Sequence, residues 1–149
     1  MTHVNEPLLI PDPSFPLIQL PAEYESHRST SCLRLREGGE CKLIDAEGPG
    51  CVRHFWITIS PPSELEIEII CDGAQQVRMT MRQFFGVLLG QEFYRIDSAA
   101  IKLMPESGYN SYFPIPFQSY CMMILRNTAP NKVSIWSIVN WQKYDSKLT

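Results

Sequence analysis

Carboxylates are the residues of this chain that could carry acid–base chemistry. Two carboxyl groups about 5–10 Å apart can cleave a glycosidic bond, one donating a proton while the other acts as base or nucleophile. Asp45 and Glu47 flank a predicted turn, and Asp72 lies in another. Acids in turns more often accept hydrogen bonds from nearby backbone amides, so both interpretations stay open. The candidates are Asp45, Glu47, Asp72, Glu92, Asp97 and Glu106.

Other catalytic and metal-binding patterns are absent from the sequence. The five cysteines include no Cys-x-x-Cys pair, and four of them fall in apolar strand-like runs, which predicts reduced core residues. Cys51 and His54 stand three residues apart on a predicted strand, so they lie on opposite faces and cannot form a cysteine–histidine pair. No serine nucleophile elbow, phosphate-binding glycine loop or zinc signature occurs. We therefore expect no metal site and no cofactor.

A set of aromatic residues and one histidine could bind a sugar. Sugars stack on aromatic faces while polar groups fix their orientation. The same side chains could equally pack in a core or between subunits, and His54 fits a hydrogen-bonded structural role better than that of a base. The ligand-binding candidates are Trp56, His54, Phe84, Phe85, Tyr109 and Tyr112.

Composition restricts the classes of partner. Thirteen basic and sixteen acidic residues give a formal charge of −3, which provides no positive surface for nucleic acid. No apolar run reaches the ~18 residues of a membrane span. The N-terminus lacks the basic region of a signal peptide, so we expect a cytoplasmic protein.

Short alternating segments predict an all-β domain. From residue 31 onward, eight or nine strand-like runs separated by turns follow one another at intervals of about ten residues, and no segment shows a helical period. Residues 82–90 could form one helical turn or a loop. The spacing predicts a single jelly-roll sandwich of about eight antiparallel strands over residues 31–149. An immunoglobulin-like sandwich is the alternative.

A proline-rich N-terminal arm is predicted over residues 1–30. Five prolines between residues 7 and 21 exclude a helix or a central strand, yet the segment is too apolar for a solvated tail. It could lie extended on its own domain or on a neighbouring subunit. A flexible leader is the alternative. The apolar residues expected at an interface are Leu8, Leu9, Ile10 and Phe15.

Some strands are apolar on both faces, although a single sandwich buries only one face of each sheet. In the run from Tyr120 to Leu125 and around Trp136, the second face therefore needs a cover, and large exposed apolar patches usually mark interfaces. These strands predict a homo-oligomer, either a trimer or a hexamer. The interface residues expected there are Tyr120, Met122, Met123 and Trp136.

Four segments in order resemble glycoside hydrolase family 172, the former domain of unknown function 2961. They are GPGCVRHFW at 48–56, CDG at 71–73, RQFFG at 82–86 and YNSYFPIPF at 109–117. The resemblance runs from about residue 31 to about residue 141 and covers only the N-terminal jelly-roll half. One departure is Gln83, which stands where the family usually has aspartate before the paired phenylalanines, and this weakens a sugar-binding role for that loop.

The resemblance implies two tandem jelly rolls per subunit, trimers or hexamers, and activity on fructofuranosides or arabinofuranosides. It also implies similarity to the double jelly-roll proteins of viral capsids. The catalytic glutamates of the family lie in the second jelly roll, so no residue here is assigned a catalytic role. Three functions remain: a self-assembling structural jelly roll without catalysis, a carbohydrate-binding module that could bind a carbohydrate partner, and a furanosidase whose site forms between subunits.

Overall fold

Two antiparallel sheets make up the protein in a computed structural model that describes residues 23–87, 95–104 and 108–145. The prediction of an all-β sandwich is confirmed. The elements are β1 (Glu25–Leu35), β2 (Glu40–Glu47), β3 (Gly50–Ser60), β4 (Leu65–Cys71), β5 (Ala74–Thr80), α1 (Met81–Phe85), β6 (Ile96–Asp97), β7 (Ile101–Met104), β8 (Gly108–Ser111), β9 (Ile115–Phe117), β10 (Tyr120–Asn127) and β11 (Val133–Lys143).

The order of the strands is that of a jelly roll. The large sheet has the order β1-β11-β3-β8-β7-β6, with β9 pairing the start of β3, and the small sheet has the order β2-β10-β4-β5. Strands β1 to β4 therefore alternate between the two sheets, β5 pairs with β4 as a hairpin in the small sheet, and β10 and β11 each return between two of the first four strands. Eight strands form this framework, as predicted. The short strands β6 and β7 extend one edge, and β9 is a further addition that the sequence pattern did not separate from β8.

Alternation of side chains along the strands builds the core between the sheets. In β4, Leu65, Ile67 and Ile69 are buried, while Glu66 and Glu68 point to the opposite face. This period of two is what a half-buried strand requires. The inward residues of β3, β10 and β11 complete one continuous hydrophobic cluster.

Local sequence explains the turn and the helix that connect β4, β5 and the loop after them. Asp72 and Gly73 both have positive φ angles, 53° and 81°, which a two-residue hairpin turn needs. The helical turn predicted near residue 82 is α1, and its N-terminus carries a capping box. Thr80 accepts a hydrogen bond from the Gln83 amide, and the Gln83 side chain accepts one from the Thr80 amide at 3.0 Å. Gln83 thus has a structural role.

The start of the sandwich needs one correction. The N-terminal arm is predicted to extend to residue 30, but residues 25–30 form the first half of β1 and pair with residues 138–143 of β11. The reason is compositional, since the last proline of the arm is Pro21 and nothing after it prevents a ladder. The arm residues Leu8, Leu9, Ile10 and Phe15 lie outside the described residues, so their contacts stay a prediction.

Candidate functional site

The six predicted ligand-binding residues divide between two sides of the large sheet. His54 and Trp56 point outward from β3, and Tyr112 follows β8 on the same side, with its ring 4.6 Å from that of His54. The other three, Phe84, Phe85 and Tyr109, point inward and do not join them. No single site therefore contains the whole set.

A hydrogen-bonded chain fixes His54 on the outer side. Its Nε2 lies 3.0 Å from Asn110 Oδ1, and its Nδ1 lies 3.0 Å from Asn140 Nδ2. This pairing assigns the proton to Nε2, because an amide oxygen accepts and an amide nitrogen donates. Arg28 Nε donates to Asn140 Oδ1 at 2.9 Å and extends the chain to β1. Both ring nitrogens are engaged, so His54 orients its neighbours rather than acting as a free base.

Large apolar side chains lie beside this chain and form what we call the aromatic face: Trp56, Tyr112, Trp136 and Ile138, with His54. Ile138 is the cross-strand partner of Trp56, and Trp136 lies one outward position further along β11. Trp136 is 38% exposed and Tyr112 is 40% exposed. The residues that point outward from positions 54–60 of β3 and 134–140 of β11 carry no charge.

The outer side of the small sheet has the opposite character. Arg126 contacts three glutamates, with its Nε 2.7 Å from Glu40 and with further contacts to Glu66 and Glu68. Arg78 reaches the shared Glu66 at 3.1 Å. The glutamates of β4 therefore do not form the simple solvated face that alternation suggests. Their side chains are 23% exposed at Glu66 and 12% at Glu68, within an ion-pair network.

The three predicted interface residues of β10 do not share one environment. Met123 is fully buried in the core and cannot line an interface, because it occupies the inward register of the strand. Ile124 points outward but is only 9% exposed, and its cross-strand partners are Lys42 and Glu68. Tyr120 and Met122 are partly buried at this surface. An interface at Tyr120 and Met122 stays a prediction.

The inward aromatic residues pack around the buried Phe55. Ring centroids lie 5.7 Å away at Phe84 and 6.0 Å away at Phe85, and Phe85 lies 5.0 Å from Tyr109. These are edge or tilted contacts of a packed core. Beside Phe84, a cavity of about 530 Å³ opens between the β4–β5 hairpin and residues 113–116.

Two of the described carboxylate candidates, Asp45 and Asp97, have basic side chains as partners. Lys42 and the Tyr120 hydroxyl hydrogen-bond Asp45 and lower the pKa of its carboxyl group. Asp97 lies 3.5 Å from both Arg95 and Lys102. A general acid needs a raised pKa, and the pKa of Asp45 moves in the other direction. Glu92 and Glu106 lie outside the described residues.

Asp72 joins two turns. Its carboxylate accepts hydrogen bonds from the amides of Gln118, Ser119 and Tyr120 at 2.7–3.1 Å and from the Ser119 hydroxyl. Partial burial acts to raise the pKa, but these hydrogen bonds outweigh it and lower the pKa of Asp72 to about 2. Asp72 therefore caps a turn, but that turn lies more than forty residues further along the chain.

Asp72→Asn should destabilise the protein in a pH-dependent way. The lowered pKa means that the stabilisation is fully present above the unfolded-state pKa near 3.8 and is lost as the pH falls towards 2. We expect a deficit of about 1 kcal/mol at pH 7, because water screens this exposed carboxylate. Asparagine tolerates the positive φ of the site. Urea unfolding at pH 7 and pH 2.5 measures the difference, and an equal deficit at both values would contradict it.

The described residues were compared with the requirements of a metal site and of a membrane-spanning helix. Across residues 23–87, 95–104 and 108–145, no three metal-ligating side chains come together. Within those same ranges, no helix has the length and apolarity to cross a membrane.

Sequence reasoning missed Asn110 and Asn140, since an asparagine on a strand carries no signal until pairing places it beside a histidine.

The fold and motifs agree with a known family. Residues 22–148 match the family model described as GH172 first beta-sandwich domain. This match includes every strand of both sheets, from Glu25 to Lys143. No curated protein matches the chain. The chain therefore belongs to glycoside hydrolase family 172, through the first β-sandwich domain of that family.

Proposed function

We propose that this domain is a non-catalytic assembly module that pairs with a second copy of itself through the aromatic face. One observation carries the proposal, namely the contrast between the two outer surfaces of the sandwich. Trp136 and Tyr112 are exposed on a surface whose central strands carry no outward charge, whereas Arg126 and its glutamates occupy the surface of the small sheet.

The composition of the aromatic face is that of an interface centre. Such centres are enriched in aromatic residues and depleted of charge, with polar groups towards the rim. Arg28 and Arg34 on β1, and Lys102 on β7, lie towards the edges of the same surface. A monomer would leave Trp136 in water, while a second copy would bury it.

The symmetry of such a contact favours one of the two expected assemblies. When the same face of two copies meets, the contact is isologous and each copy contributes identical residues. An isologous pair requires an even number of subunits. We therefore favour a hexamer of three such pairs over a trimer, in keeping with the capsid-like jelly rolls that the family resembles.

Trp136→Glu should separate the copies. A carboxylate placed at the centre of the interface would be desolvated without a partner, which disfavours association by several kcal/mol. The measurement is sedimentation velocity of parent and variant between 1 and 50 μM, with circular dichroism to verify the fold. The control is Gln75→Glu, which adds the same charge on the exposed β5 edge strand of the small sheet. A monomeric parent, or an unchanged mass for Trp136→Glu, would contradict the proposal.

A second candidate function is carbohydrate binding at the same face. The specific observation is that the His54 chain places amide groups of Asn110 and Asn140 beside two aromatic rings. This is the combination of stacking surface and orienting polar groups that sugars use. Titration calorimetry with arabinofuranosides and fructofuranosides tests it. Binding that disappears in Trp56→Ala but persists in Phe84→Leu, an inward control, would favour this function over assembly alone.

A further inference from the structure

Two cysteines, Cys71 of β4 and Cys121 of β10, are direct cross-strand partners in the small sheet. Their Sγ atoms lie 3.8 Å apart, although the residues are 50 positions apart in the chain. We propose that this pair is a dithiol modification site that closes to a disulfide when a small-molecule disulfide enters through the neighbouring cavity. Nothing in the assembly proposal depends on this chemistry.

The backbone geometry at the pair is compatible with closure. The Asp72 amide donates to the Tyr120 carbonyl at 2.9 Å, so that residue pair occupies the hydrogen-bonded register of the ladder. The next pair, Cys71 and Cys121, therefore occupies the non-hydrogen-bonded register, where Cα atoms lie about 4.5 Å apart. That separation lies within the range of about 4.4–6.8 Å that a disulfide spans. Closure needs side-chain rotation only.

The cavity provides access from one side. Cys71 contributes to the wall of the 530 Å³ cavity, together with Ile69, Val77, Phe84 and Ile115. Cys71 is 5% exposed, whereas Cys121 is fully buried. A reagent of a few heavy atoms fits the space, so Cys71 is the thiol that attacks the reagent first and Cys121 is the resolving thiol. A hydrogen bond between the thiols lowers the pKa of Cys71, which favours the attacking thiolate.

The reaction is a two-step thiol–disulfide exchange. The Cys71 thiolate attacks one sulfur of the reagent RSSR, forming a Cys71–SR mixed disulfide and expelling RS⁻. Cys121 then gives up its proton and attacks Cys71 Sγ, which expels the second RS⁻. The two cysteines lose two electrons, RSSR gains them, and the two cysteine protons appear on two molecules of RSH.

The other cysteines provide internal controls. Cys41 and Cys51 are buried, and their thiols contact the backbone carbonyls of the residues that follow them, at 3.6 and 3.4 Å. Burial raises the pKa of Cys51 to about 11, which removes the thiolate at neutral pH. Cys32 is exposed and would capture reagent without a partner. Replacement of Cys32 by serine therefore simplifies the test.

The experiment uses the full chain carrying Cys32→Ser and the reagent hydroxyethyl disulfide. After incubation, the protein is unfolded in N-ethylmaleimide and its intact mass is measured. We expect two maleimide adducts instead of four, and a peptide map that joins Cys71 to Cys121. In Cys121→Ala, the exchange should stop at one mercaptoethanol adduct on Cys71. Four maleimide adducts in the parent would overturn the proposal, as would a Cys121→Ala protein without an adduct.

A physical measurement gives a readout independent of labelling. Closing a loop of about 50 residues restricts the unfolded chain, which should raise the melting temperature by about 5–10 °C. The oxidised and reduced forms of the same protein are compared, so no folding defect of a variant enters. An unchanged or lower melting temperature for the cross-linked form would show that closure distorts the sheet, and would overturn a site that closes by side-chain rotation alone.

Discussion

Phe55→Ala is expected to lower the free energy of unfolding by about 3–5 kcal/mol. The ring of Phe55 is completely buried at the centre of the sandwich, within 6.0 Å of the rings of Phe84 and Phe85. Truncation removes the transfer free energy of the ring and leaves a cavity that a closely packed interior fills only in part. Urea unfolding, followed by fluorescence and circular dichroism, should show a midpoint lower by more than about 1 M.

Tyr112→Ala is the matched control for Phe55→Ala. It truncates another aromatic ring, but that ring is 40% exposed and stacks on His54 at the outer side of the large sheet. Its cost should stay near 1 kcal/mol. Phe55→Leu should cost less than Phe55→Ala, because most of the volume is retained. Equal midpoints for the two alanine variants would contradict the assignment of Phe55 to the core.

Asn127→Leu should cost about 2–4 kcal/mol, although the substitution adds an apolar side chain to a buried position. Asn127 is fully buried, and its amide nitrogen donates to the carbonyls of Leu35 and Asn131 at 3.2 and 2.8 Å. Its oxygen accepts from the Ala129 amide at 3.0 Å. Leucine would leave the carbonyls of Leu35 and Asn131 and the amide of Ala129 without the hydrogen bonds that Asn127 makes. The free-energy cost is smaller for any of these groups that water reaches. Thermal and urea unfolding measure the loss.

Asn127→Asp separates charge from shape. The carboxyl group is nearly isosteric, but as an anion it faces the two carbonyl oxygens of Leu35 and Asn131. This arrangement raises the folded-state pKa of the new aspartate above its unfolded value of about 3.9. Stability is then greatest at low pH and falls as the pH rises through the folded-state pKa. A variant that is no less stable at pH 8 than at pH 4 would contradict the amide network.

Together these variants separate the framework from the surfaces that we propose to be functional. Phe55 packs between the two sheets, and Asn127 bonds the turns at one end of the sandwich. Replacing either residue should therefore lower the free energy of unfolding without affecting one outer surface more than the other. Trp136 is exposed on the outer side of the large sheet, whereas the Cys71–Cys121 pair lies in the core beside a cavity. Their variants should change mass or thiol chemistry while the fold is kept.

Local patterns in the sequence determined the fold class and most strand positions. The alternation of β4 predicts its buried residues, because a strand with one face in the core must change polarity at every residue. The Asp72–Gly73 turn and the helical turn near residue 82 are equally local, since each depends on backbone preferences of two to five residues. The four segments in their order carried the family resemblance.

Only the tertiary structure decided which residues meet. The ligand-binding candidates were grouped by residue type, but the large sheet divides them, with Trp56 and His54 outside and Phe85 inside. Met122 and Met123 are adjacent and chemically alike, yet only the register with β2 and β4 assigns one to the core. The alternation of residue types defines the two faces of a strand, but it does not show which face is buried or what buries it.

The longest-range features were inaccessible to the sequence for the same reason. Cys71 meets Cys121, and Asp72 caps the turn at Gln118, through pairings across 46 to 50 residues. Such contacts depend on register, which the whole sandwich sets when both sheets bury their inner faces together. The sequence by itself therefore determined that this chain is a β-sandwich, through the alternation of its strands. The three-dimensional packing decided which outward surface is aromatic, which is charged, and where two thiols lie within reach of each other.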